Sequence, residues 1–235
     1  MSFEQLKRYT DEYGPRHKTE DWCLFMYALV KMQRPSVFLE LGTGWGVTLF
    51  WVAQAMQENG LGACHSVDSS RMWKKRSRKG EFTSLIQARA EEFGLADRIT
   101  LIDQEVPPFP EVEGVDLLFS DISPYPGHIL DVLGHYLPTM PVHGSIFFDS
   151  AAGRLQTYWM MSMLVDELNR GRVPARLLSQ VASEKRNTLI RRVITSRFEL
   201  IPITKVQERL DQNGPLWFRF SPSDLVPYPQ TLFRD

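Results

Sequence analysis

Val37-Phe38-Leu39-Glu40-Leu41-Gly42-Thr43-Gly44-Trp45-Gly46 is the stretch from which the rest of the chain can be read. An apolar run with a β-branched start, Val37–Glu40, leads into glycines at alternate positions. Beyond them Leu49, Val52, Ala53 and Met56 keep helical spacing, and Asn59-Gly60 ends that helix. A strand that turns through glycines into a helix lets the backbone approach a ligand without a Cβ clash. Two details narrow the ligand. A dinucleotide loop of pattern GxGxxG would carry its third glycine at position 47, where this chain has Val47. An acid, Glu40, stands at the strand end, and a carboxylate there repels a pyrophosphate but suits a cationic amino-acid group.

Working outward, strand and helix patterns alternate. Ala63–Asp68 reads as a second strand. Phe82, Leu85, Ile86 and Phe93 mark a helix that stops near Gly94. Ile99–Ile102 is a third strand, Val115–Ser120 a fourth and Ser145–Asp149 a fifth, with a helix marked by Ile129, Val132, Leu133 and Tyr136 between the last two. Met161, Leu164, Val165 and Leu168 mark the helix that follows. Apolar strands alternating with amphipathic helices predict an α/β fold, a doubly wound parallel sheet with helices on both faces. Upstream, Trp22, Phe25, Met26 and Leu29 keep helical spacing behind Thr19 as N-cap. Downstream, Phe198–Ile203 and Leu216–Phe220 read as two more strands. Pro202 assigns the first of these to an edge. Ala175–Ile194 is a basic, helical insertion. The chain reads as a single domain: a helical cover over 1–34, a core over 35–170, and the insertion with a strand pair over 171–235.

Composition bounds the function. The chain has 235 residues, 43% hydrophobic and 23% charged, with a net charge of −1. That is a soluble globular composition without the basic excess that attracts nucleic acid or an anionic membrane. No stretch free of Asp, Glu, Lys and Arg is longer than Val132 to Phe148, which contains Pro138, Pro141 and Gly144 and is too short to span a bilayer. The N-terminal Met1-Ser2-Phe3-Glu4-Gln5 carries an early acid and does not read as a signal peptide. Two cysteines, Cys23 and Cys64, suit unpaired thiols in a reducing cytoplasm.

Ligands of such sheets bind beyond the carboxyl ends of the strands, so the residues there are the candidate site. Glu40, Gly42, Thr43, Gly44 and Gly46 follow the first strand. Asp68 and Ser69 follow the second, where an acid can accept both ribose hydroxyls of an adenosine. Asp103 and Gln104 follow the third and could accept from an adenine amino group. Asp121 follows the fourth and Asp149 the fifth; either could act as a general base, or the pair could bind a divalent metal.

At these residues the chain resembles class I S-adenosylmethionine-dependent methyltransferases, with the closest likeness to the bacterial small-molecule group related to catechol-type O-methyltransferases. Leu39–Leu49, Asp116–Asp121 and Gly144–Asp149 carry the resemblance. It implies a Rossmann-like seven-stranded sheet with the last strand antiparallel. It also implies that Glu40, Gly42 and Gly44 hold the methionine part of the cofactor, that Asp68 holds the ribose and that Asp121 lies close to the methyl donor. The metal-dependent type ends its fifth strand in Asp-Asn. Here Asp149-Ser150 stands there, so no metal is expected; were one present, Asp121 and Asp149 would hold it. The metal-free group often has histidine soon after the fourth-strand acid, whereas this chain has Pro124-Tyr125 and then His128.

The resulting expectation is methyl transfer from S-adenosylmethionine to an oxygen or nitrogen of a small molecule, in specialised metabolism. His128, with Asp121 and Asp149, is a candidate catalytic group. Tyr13, His17 and Tyr125 are candidate acceptor contacts, and Tyr9, Tyr13, His17 and Trp22 could form an apolar lid. A metal-dependent O-methyltransferase and a non-catalytic, cofactor-binding partner protein are the alternatives. A nicotinamide oxidoreductase is disfavoured by Val47 and by the lack of a Tyr-x-x-x-Lys pair after the fourth or fifth strand. The resemblance also implies a homodimer. Arg71–Lys79, with six basic residues, reads as a solvated surface.

Overall fold

The computed structural model describes residues 2–14, 20–71, 81–203 and 214–223. The chain forms two compact units, Met1–Ile122 and Ser123–Asp235. The seven strands follow the order β3-β2-β1-β4-β5-β7-β6.

In the first unit, α1 (Phe3–Tyr13) opens on a capping box. Ser2 Oγ accepts from the Gln5 amide, and Gln5 Oε1 accepts from the Ser2 amide. These bonds satisfy N–H groups that a helix start leaves without partners. Then come α2 (Glu20–Gln33), β1 (Val37–Leu41), α3 (Val47–Asn59), β2 (Ala63–Asp68), α4 (Phe82–Glu92), β3 (Ile99–Asp103) and β4 (Leu117–Ser120). β1 pairs in parallel with β2 on one side and β4 on the other, and β2 with β3. The register sets Leu41 against Val67 and Ser120, and Asp68 against Asp103, so the strands end together. Residues 47–56 of α3 are buried on every side, as expected of a helix that is apolar all round.

The second unit holds α5 (Pro126–Tyr136), β5 (Ser145–Phe148), α6 (Leu155–Asn169), the single turn α7 (Ala175–Leu178), α8 (Arg186–Thr195), β6 (Ser196–Pro202) and β7 (Leu216–Pro222). β7, the last strand, runs antiparallel to both β5 and β6. β6 is the edge of the sheet and ends at Pro202, where the missing proline N–H does least harm. The basic insertion is helical, as α7 and α8. It packs closely on α5, since a Cβ on Gly134 would lie 2.7 Å from Gln180 Cβ and 2.9 Å from its carbonyl oxygen.

Two strands are shorter than the sequence pattern predicts. β4 begins at Leu117, and the Asp116 carboxylate just before it caps the start of β1, accepting from the amides of Ser36 and Val37 at 2.7 and 3.0 Å. β5 ends at Phe148, and Ser150 then takes a left-handed backbone with φ 57°. Thr19, His17, Trp73 and the basic run beyond Arg71 lie outside the described residues. Arg71 itself is exposed and paired with Glu105 at 3.1 Å. No described helix is long and apolar enough to cross a membrane.

Candidate cofactor and active site

The glycine loop is shaped by its neighbours. The Gly42 amide donates to the Val67 carbonyl at 2.8 Å, and the Asp121 amide donates to the Leu41 carbonyl at 2.8 Å. These bonds tie the end of β1 to the strands on either side. Gly42 has φ +93°, and a Cβ there would sit 2.8 Å from the Asp121 carbonyl oxygen, so only glycine fits. Gly44, at φ +53°, is the opposite case: among the described residues a Cβ there would meet no atom within 4 Å. Gly46 then leads into α3, whose first turn has no side-chain cap. Uncapped amides at a helix N-terminus favour an anionic group.

The strand-end acids are bonded into this loop. Glu40 is only 1% exposed. Its Oε2 accepts from Ser66 Oγ at 2.7 Å, and the Ser66 and Thr43 hydroxyls are hydrogen-bonded at 2.7 Å. A carboxylate this deeply buried needs such partners. One oxygen of Asp68 accepts from the Gly44 amide at 3.0 Å and the other from the Ser69 amide at 2.7 Å. A carboxylate offers about four acceptor positions, so this arrangement is compatible with receiving ribose hydroxyls as well. Asp103 accepts from the Ser70 amide at 2.9 Å and the Ser70 hydroxyl at 2.6 Å, which joins the ends of β2 and β3. The Gln104 amide donates to the Asp68 carbonyl at 3.0 Å, and its side-chain nitrogen donates to the Pro108 carbonyl. Two bonded sets, Glu40–Ser66–Thr43 and Gly44–Asp68–Ser69, thus meet at the adjacent residues Thr43 and Gly44, with Asp121 close by through Gly42. Below them, burial and the nearby Glu40 push the Cys64 thiol well above the usual range, so it stays a protonated core residue.

The N-terminal aromatic residues divide. Tyr13 lies against Trp45 of the loop, with ring centroids 5.2 Å apart, and against Tyr9 at 4.6 Å. Trp22 is core: it is buried against Phe119, and its Nε1 donates to Thr48 Oγ1 at 3.3 Å.

In the second unit Tyr125 is 58% exposed, with the Arg154 guanidinium 4.8 Å from its ring centre. Thr157 Oγ1 donates to the Pro124 carbonyl at 2.7 Å and fixes α6 to the start of α5. His128 is half-buried, and burial lowers its pKa against the opposing pull of Asp131. Its imidazole is therefore neutral near pH 7 and can accept a proton. Ser150 Oγ donates to Asp149 Oδ2 at 2.8 Å, which occupies one of the oxygens a metal would use. Among the described residues no group of three or more His, Cys, Asp or Glu side chains could hold a metal ion, so no step is assigned to a metal.

Sequence reasoning missed Ser66 and the role of Tyr9. Ser66 is a small polar residue inside an apolar strand, and only its register opposite Glu40 identifies it. The capping box Ser2-x-x-Gln5 was a readable start for α1, the helix that carries Tyr9.

Residues 39–151 match the model of a family described as a methyltransferase domain. No curated protein sequence matches the chain. Similar solved structures include the O-methyltransferase TomG of Streptomyces achromogenes, involved in tomaymycin synthesis and crystallised with S-adenosylmethionine. It is 13% identical over 93% of this chain and 88% of its own, with a TM-score of 0.55. An O-methyltransferase of Bacillus cereus in complex with S-adenosylhomocysteine is 14% identical, covering 93% of this chain and 92% of its own, with a TM-score of 0.54. An S-adenosylmethionine-dependent O-methyltransferase of Thermotoga maritima is 14% identical, covering 91% and 70%, with a TM-score of 0.56. At these identities the likeness shows a shared fold.

Proposed function

We propose, from the match of residues 39–151 to a methyltransferase-domain family, that the chain transfers a methyl group from S-adenosylmethionine to an oxygen or nitrogen of a small molecule, in specialised metabolism. The observation that supports this reading is that Glu40 and Asp68 are each bonded into the same loop, at Thr43 through Ser66 and at Gly44, and that among the described residues no atom would crowd a Cβ at Gly44.

The cofactor supplies an electrophilic methyl group on a sulfonium. The chain's own residues do the rest. Glu40 and Thr43 place negative and hydroxyl oxygens by the loop for an ammonium, and the uncapped start of α3 suits a carboxylate. Asp68 and Ser69 are assigned to the ribose, Asp103 and Gln104 to the adenine, and Asp121 to the neighbourhood of the methyl group. His128 is the first candidate for receiving the acceptor's proton and Asp149 the second. Tyr13 and Tyr125 are assigned to the acceptor. Holding acceptor and methyl in line supplies much of the rate in such a transfer.

Titration calorimetry of the folded protein with S-adenosylhomocysteine tests the donor half of this reading. Saturable binding supports it, and no detectable heat from folded protein overturns it. Turnover of labelled S-adenosylmethionine against a panel of phenols, hydroxy acids and amines tests the acceptor half.

A further inference from the structure

We infer that Tyr9 is a positioning residue for the cofactor loop, through which helix α1 sets how tightly the cofactor is held. The inference rests on the donor reading above and goes beyond it, because Tyr9 was expected only as part of an aromatic lid. The Tyr9 hydroxyl donates to the Trp45 carbonyl at 2.6 Å. That carbonyl lies between Gly44 and Gly46, both in left-handed backbone at φ +53° and +72°. A stretch flanked by two such glycines has little intrinsic stiffness, so its shape depends on the bonds that pin it. Asp68 pins one side at the Gly44 amide, and the Thr43 carbonyl accepts from the Gly46 amide. Tyr9 pins the middle, from a helix 36 residues earlier in the chain.

The donor is itself firmly placed. Tyr9 is 6% exposed and meets Phe50 and Phe93 edge-on at 5.3 and 5.4 Å. Arg89 lies 5.9 Å from its ring centre. Burial pushes the phenol pKa far above its usual range, so the hydroxyl keeps its proton at any working pH. Phe50 belongs to α3, which the loop enters, so ring and hydroxyl grip the same turn from two directions.

α1 makes a second buried bond that provides a control. Thr10 Oγ1 accepts from Trp51 Nε1 at 2.9 Å and does not touch the loop. Tyr9→Phe removes one hydrogen bond of α1, and Thr10→Val removes two, since Thr10 Oγ1 also donates to the Leu6 carbonyl at 2.9 Å; both keep the packing of the helix. Calorimetry with S-adenosylhomocysteine, alongside thermal melts, separates the two. Tyr9→Phe should weaken binding about tenfold, the value of roughly one buried hydrogen bond. Thr10→Val should lower the melting temperature at least as much as Tyr9→Phe does, yet bind within about twofold of wild type. Wild-type affinity in Tyr9→Phe, or equal weakening in both variants, overturns the inference and leaves the donor reading standing. Wild-type protein that does not bind S-adenosylhomocysteine overturns the donor reading and this inference with it.

Discussion

The first unit and the second hold their candidate residues in different ways. In the first, the loop groups are buried and bonded across long stretches of chain: Ser66 to Glu40, Asp68 to Gly44 and Tyr9 to Trp45, at separations of 26, 24 and 36 residues. In the second, Tyr125 stands 58% exposed beneath Arg154, and Asp149 takes a bond from its neighbour Ser150. A site assembled from distant pieces of chain is fixed once the fold forms, which suits a ligand that never changes. Exposed side chains with close-range bonds can be exchanged at little cost to the fold, which suits a ligand that differs between enzymes.

Substitutions in the bonded loop of the first unit should therefore act on the donor, and those at the exposed groups of the second on the acceptor. The largest effect is expected at Gly42. Gly42→Ala puts a Cβ 2.8 Å from the Asp121 carbonyl oxygen at φ +93°. It should destabilise the protein by about 2–4 kcal/mol in a denaturant melt and abolish measurable S-adenosylhomocysteine binding. Next comes Asp68→Ala, which removes the acceptor of the Gly44 amide and the proposed ribose ligand together. Binding should weaken about 30- to 100-fold, with most of the thermal stability retained. Affinity within threefold of wild type would detach Asp68 from the cofactor and break the contrast at its centre. Tyr125→Ala should leave donor affinity unchanged and raise the acceptor KM several-fold. A loss of donor affinity in this variant would show that the division of labour is wrong.

The smallest effect concerns pH. Burial lowers the His128 pKa in the folded chain below its ordinary value near 6.5. The unfolded chain therefore takes up a proton first as pH falls. The stabilising contribution of neutral His128 is present above about pH 6.5 and is lost progressively as pH drops through the folded value. His65 is shifted in the same direction by the same cause. The melting temperature should fall between pH 7.5 and 5.5, and less steeply in a His65→Gln, His128→Gln double variant. Equal slopes for wild type and double variant would assign the acid sensitivity elsewhere.

The contrast also explains what the sequence made legible. β2, Ala63–Asp68, is readable to the residue because Gly60 and Gly62 before it and Ser69-Ser70 after it bound a short run in the strand–helix alternation. The glycine loop is readable because its geometry leaves few residue choices. Asp116 could not be read as a cap on β1, because that bond joins residues about 80 apart and no local pattern encodes it. Ser66 and Tyr9 were hidden for the same reason: their partners are set by register and helix packing. Tyr125 and His128 were found only as polar groups close behind a strand end, a position that suggests a site without defining its chemistry.

The bonds joining Thr43, Ser66 and Glu40 carry one more consequence. A hydroxyl has a single proton to give. Ser66 gives its proton to Glu40, so in the bond between the two hydroxyls Thr43 must be the donor. The Thr43 proton thus points inward, and a ligand at that hydroxyl meets only lone pairs. That hydroxyl is one-way: it suits a group that brings a proton, such as an ammonium, while the uncapped start of α3 is left for a carboxylate. Which partner donates at that one oxygen is decided before any ligand arrives.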